Sequence, residues 1–292
     1  MKGIETAGKI LGTGIGIAYL LLFEGNEMYQ WICFGAILIT IGIPHGAIDH
    51  LLLNPVMDKK NLVRFILKYL AIIIAYLAVW LFLPTVALLA FILMSAYHFG
   101  QSHFIKMRFK KLEGLTFITL GSFILSSILW GDFAYTASIL SKIIDVSHLA
   151  TYGTAVILIS FSLSTILILL NFGTKSIWLL MEISLLGIFL YHLPLLLGFI
   201  IYFGFWHSLP SMTEEFKALK DFLQPQKIRN FITKLLPFTL TSLVGISFIL
   251  LFFYNMLEAD QLTLLFFVLV SLISAPHIWY MNLFLDKRKN QY

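Results

Sequence analysis

The sequence predicts an all-α, polytopic transmembrane helical bundle of about eight to ten spans, with both termini cytoplasmic. Three observations predict it. Of 292 residues, 59% are apolar and 12% charged, which leaves too little polar surface to cover a soluble globule of this size. Apolar runs of roughly 20 residues, the length that crosses a hydrocarbon core of about 30 Å, recur from one end to the other. The basic residues also crowd into alternate loops, as membrane insertion demands.

In chain order the runs fall at 9–23, 30–53, 62–83, 85–105, 114–130, 152–172, 176–192, 195–211, 232–254 and 262–285. The first has no small-residue cleavage site before Glu24 and Glu27, so it reads as a permanent span rather than a secretion signal. Two joints rest on little more than Pro84 and Pro194, and 131–150 has room for a surface or re-entrant helix; hence the range of eight to ten. The longest expected soluble insertion runs from Thr213 to about Arg229, and residues 1–292 read as a single integral membrane domain. Cys33, the single cysteine, lies inside an apolar run, so any metal must be held by nitrogen or oxygen ligands.

Charge orients the spans. Nineteen of the 20 Lys and Arg residues fall in alternate loops, from Lys2 and Lys9 through the clusters at Lys59–Lys68, Lys106–Lys111 and Lys217–Lys234 to Lys287–Lys289. The opposite loops hold Lys142 alone beside Glu24, Glu27, Asp132, Asp145, Glu258 and Asp260. The formal charge of +5 therefore comes from residues flanking spans, and no nucleic-acid partner is expected.

That topology gives the histidines a shared address. Even-numbered spans run from outside to inside, so His45, His98, His207 and His277, each late in an even span, fall at similar depth in the cytoplasmic half. A single histidine in hydrocarbon ordinarily serves interhelical hydrogen bonding. Four on separate helices at one depth are what a metal cage requires, and neutral imidazole is a common ligand of Fe, Zn and Cu. His148 and His192 fall at the outer side and are set aside as loop or interface residues. His50 and His103 each follow a better candidate by five residues, some 140° around a helix at about 100° per residue, and their role stays open. Asp49, four residues after His45 on nearly the same face, either orients a ligand imidazole by accepting its ring N–H or caps or pairs near the interface, as Asn54 does. Glu182, in the middle of a span, is assigned a structural hydrogen bond.

The segments Pro44-His45-Gly46-Ala47-Ile48-Asp49-His50, Ser95-Ala96-Tyr97-His98-Phe99-Gly100-Gln101, Phe205-Trp206-His207-Ser208 and Ala275-Pro276-His277 resemble, in order and spacing over most of the chain, the Brp/Blh family of β-carotene 15,15'-dioxygenases. The resemblance implies a cell-membrane enzyme that uses Fe2+ and O2 to cleave the central double bond of β-carotene or a related carotenoid, giving two retinal. It also implies a microbial rhodopsin as receiver of the product. His45, His98 and His207 match family histidines expected to bind iron and carry catalysis. The family often has another histidine at the position held here by Ser211, and an acidic residue near that of His103. Either His277 completes the metal set, or His50 or His103 does, or iron binds three histidines and a water; shared depth favours His277. Tyr97 and Trp206 are candidates to line an apolar tunnel. Two other classes compete: a bis-histidine haem protein, and a non-enzymatic carotenoid or retinal carrier.

Overall fold

Hydrocarbon offers no hydrogen bonds to a backbone, so a chain this apolar satisfies its peptide groups internally as helix. The computed structural model describes residues 2–289, and no strand occurs among them. The side chains of Lys2, Arg288 and Lys289, counted in the charge asymmetry, lie outside the described residues. In order the α-helices are α1 (Lys2–Leu22), α2 (Glu27–Ile37), α3 (Asp49–Leu53), α4 (Lys59–Phe82), α5 (Pro84–Ser102), α6 (Glu113–Gly131) and α7 (Phe133–Leu140). They continue with α8 (Gly153–Phe172), α9 (Ile177–Tyr191), α10 (Leu195–Ile201), α11 (Leu209–Leu219), α12 (Lys227–Phe253) and α13 (Ala259–Lys289).

Among the described residues, eight helical stretches are long and apolar enough to cross a membrane. The protein is an all-α polytopic bundle. One of the eight, Ser147–Tyr191, contains both α8 and α9, and Gly173 breaks it at φ 60°, a conformation that costs a residue with a Cβ far more than glycine. α1, expected as the first span, is not one of the eight.

Two expected spans are not continuous α-helix. Between α2 and α3 the chain passes through a π-helical turn, Leu38–Gly42, and a 3-10 turn, Pro44–Gly46. Pro44 has no N–H and its ring clashes with the preceding turn, which ends regular helix there. Between α10 and α11 lies a second π-helical turn, Tyr202–Ser208. The soluble insertion expected from Thr213 is corrected: α11 runs on to Leu219 and buries Thr213, Glu214 and Glu215. Apolar residues at helical spacing (Leu209, Met212, Phe216, Leu219) explain the continuation.

The chain divides into two compact units: Met1–Leu38 with Ile92–Pro210, and Ile39–Phe91 with Ser211–Tyr292. In the first, α6 is the hub, packed on α8 and α9. Gly100 and Gly121 let the end of α5 lie against α6 backbone to backbone; a Cβ at Gly100 would collide with the Phe117 carbonyl, and one at Gly121 with that of Ala96. Asp132 ties two helix starts together, accepting from Tyr135 N at 3.4 Å and from Leu195 N at 3.2 Å.

In the second unit α13 packs on α3, α4 and α12. α4 shows why: Val63, Leu67, Leu70, Ile74, Leu77 and Leu81 form an exposed apolar stripe suited to lipid, whereas Phe65 and Trp80 are buried. Across the α4–α13 contact, Trp80 Nε1 donates to Ser271 Oγ at 2.9 Å and Tyr69 Oη to the Ile273 carbonyl at 3.2 Å.

Candidate metal centre

Each unit carries one pair of buried histidines in edge-to-face contact. In the first unit His98, near the end of α5, and His207, in the second π-helical turn, have ring centroids 4.6 Å apart at 74°. In the second, His45 in the 3-10 turn and His277 on α13 are 4.8 Å apart at 82°.

The second pair is oriented by hydrogen bonds. The His277 Nδ1–H donates to both oxygens of Asp49, at 3.0 and 3.1 Å, and the His45 Nδ1–H donates to the Gly42 carbonyl. A proton fixed on Nδ1 makes Nε2 the ring's ligand atom, the usual arrangement behind a metal-bound histidine. Gly46 permits the approach, since a Cβ there would stand 3.3 Å from His277 Nδ1. The carboxylate of Asp49 therefore orients His277, the residue 228 positions away, rather than His45 on its own segment.

Packing helps to orient the first pair. His207 stacks on Phe203 at 5.5 Å and 19° and meets Phe99 at 4.9 Å. His98 Nδ1 lies 3.4 Å from Gln101 Oε1. Tyr202 fixes the start of the π-helical turn by donating to the Phe99 carbonyl at 3.2 Å.

Each pair sets two buried imidazoles side by side within its own unit. Neutral imidazoles with no thiolate suit a borderline divalent metal such as Fe2+.

The remaining candidates are engaged elsewhere. His50 packs on the rings of Phe238 and Phe65, at 4.7 and 6.0 Å. His103 Nε2–H donates to Tyr202 Oη at 3.1 Å. His148 and His192 are exposed. Tyr97 packs against Phe117 on α6 at 5.6 Å, and Trp206 Nε1 donates to Glu182 Oε1 at 3.0 Å, so each is engaged with a neighbouring helix. Ser211 is buried one turn beyond His207. Sequence reading missed Glu215, fully buried and within electrostatic reach of Asp49; its placement in an expected loop hid it. An apolar cavity of about 460 Å³ lies between α6, α8 and α9, lined by Phe123, Ile157, Phe161, Ile188 and Tyr191 among others, and none of the four candidate histidines lines it.

Comparison with known proteins bears on these residues. A family model described as Beta-carotene 15,15'-dioxygenase matches residues 36–285, a stretch that contains all four histidines and Asp49. A curated Beta-carotene 15,15'-dioxygenase from an uncultured marine bacterium, 66A03, is 34% identical over 84 residues, which cover 27% of this chain and 30% of the relative's length. No solved structure matches.

Proposed function

The chain belongs to the Beta-carotene 15,15'-dioxygenase family, and from that premise we propose that it is a membrane enzyme that cleaves β-carotene or a related carotenoid at the central 15,15' double bond, giving two retinal. The observation that carries the reading is a pair of buried histidines in each unit, His98 with His207 and His45 with His277. In this reading His45, His98 and His207 hold Fe2+, and His277 joins them as the fourth ligand, with Asp49 fixing its ring. Bound iron would supply the O2-activating chemistry.

The protein's own task is positioning. Each new carbonyl takes one atom of O2 and no proton is consumed overall, so the site needs no general acid or base. It needs a rigid nitrogen cage and a dry, apolar approach for a polyene. Phe99 and Phe203 against His207 provide apolar walls beside the ligands. The substrate arrives from the bilayer, and the charge asymmetry of the loops supports a place for the histidines in the cytoplasmic half of the cell membrane. A microbial rhodopsin is the fitting consumer of the retinal.

The test is expression of the full chain in cells that accumulate β-carotene, with retinal and residual carotenoid quantified by chromatography. Wild type should deplete the carotenoid and form retinal, whereas His45→Ala, His98→Ala and His207→Ala should not. Folded, iron-supplied wild-type protein that leaves the carotenoid intact would remove the dioxygenase reading and leave a carrier.

A further inference from the structure

We propose that Glu182, paired with Lys9, is the mount for the π-helical turn that bears His207 through the hydrogen bond it accepts from Trp206, which makes Glu182 a positioning residue for the metal. The proposal rests on the metal reading above. A π-helical turn is rare and concentrates at functional sites, and it persists where its surroundings hold it. For Tyr202–Ser208 those surroundings are specific.

Trp206, the residue before His207, donates from Nε1 to Glu182 Oε1 at 3.0 Å. Lys9 Nζ donates to the same oxygen at 2.5 Å and stands 6.0 Å from the Trp206 ring centroid, within cation–π range. A carboxylate in the middle of a membrane helix is expensive unless paired, and such residues are retained where they serve function. Here one oxygen collects an ammonium from 173 positions away and the indole next to a ligand.

The second grip is steric. Gly8, Gly12 and Gly16 recur every four residues along one face of α1. A Cβ at Gly12 would collide with the Phe205 ring, one at Gly8 with Leu209, and one at Gly16 with the Phe189 ring. Phe205 is thus seated in the glycine face of α1 while Trp206 is tied to Glu182. Adjacent residues pinned on different sides block rotation of the turn about its axis, the motion that would swing the next side chain, His207, away from its place. α1 precedes the residues 36–285 that the family model matches, so family membership does not assign this mount.

The experiment uses the full-length, iron-loaded protein in detergent, challenged with ferrozine. Retained iron is measured by elemental analysis, and thermal unfolding is followed on the same samples. Glu182→Leu should lose iron about tenfold faster than wild type, the low end of what outer-shell partners of metal ligands contribute. Glu182→Gln keeps an acceptor for Trp206 and should stay near wild type. The double exchange Lys9→Glu with Glu182→Lys restores an ion pair and should recover the unfolding midpoint, but not iron retention, because a lysine cannot accept from the indole. Gly12→Leu, acting on Phe205 without touching charge, should also release iron faster. Folded Glu182→Leu protein that keeps iron like wild type overturns the mount, as does a double exchange that restores both readouts. Wild type holding no more iron than His207→Ala would instead remove the metal reading, and this proposal with it.

Discussion

The two histidine pairs solve one problem by different means. In the second unit, hydrogen bonds to a carboxylate and to a main-chain carbonyl set the tautomer and plane of His277 and His45. In the first, aromatic stacking and a long contact to an amide set those of His207 and His98. A carboxylate raises the basicity of the imidazole it holds, whereas a phenyl ring fixes direction alone. The second unit therefore tunes its histidines electronically, and the first sterically. Under the proposed metal reading, chemistry at the site should be sensitive to a single polar atom in one pair and to side-chain volume in the other.

The largest effect comes from breaking the pairs themselves. His98→Ala, His207→Ala and His45→Ala should each abolish retinal formation and lower bound iron to background in purified protein. His277→Ala sharpens the contrast: complete loss of iron makes it a ligand on the same footing, whereas iron held with activity only reduced confines it to a role beside His45. Next in size is the polar partner. Asp49→Ala should reduce iron affinity or turnover about 10- to 100-fold, and Gln101→Leu only a few-fold, because His98 Nδ1 stands 3.4 Å from its amide. Equal losses in the two variants would end the distinction between an electronically tuned pair and a sterically tuned one.

Much of this was readable in the sequence, for a physical reason. Intramembrane histidines and acids are expensive, so His45, His98, His207, His277, Asp49 and Glu182 stood out against an apolar background. The apolar runs mark the helices for the same reason, and each of the ten overlaps helix over most of its length. Partners were not readable. That Asp49 holds His277 and Glu182 holds Lys9 depends on which helices lie side by side, which hydropathy does not encode. Nor did it reveal the two π-helical turns, whose residues differ little in propensity from the helices around them. Glu215 escaped because charge and polarity mark a loop when read locally, whereas α11 buries that face.

The units also differ in how they hold the helices that carry their histidine pairs, and here the expected effects are smaller. In the first unit α5 meets α6 through Gly100 and Gly121 with no room for a side chain. Gly121→Val should therefore destabilise by about 1–3 kcal/mol, as overpacking does, and lower the thermal midpoint of the purified protein. In the second unit a tie between α4 and α13, which carries His277, is the hydrogen bond from Trp80 to Ser271. Trp80→Phe keeps most of the ring and removes the donor. Side-chain hydrogen bonds between membrane helices average about 0.6 kcal/mol, so the midpoint should fall only slightly and iron binding should persist. A Trp80→Phe variant as unstable as Gly121→Val would mean that the second unit, too, depends on close fit, and the division between polar and steric control would then hold only around the histidine pairs.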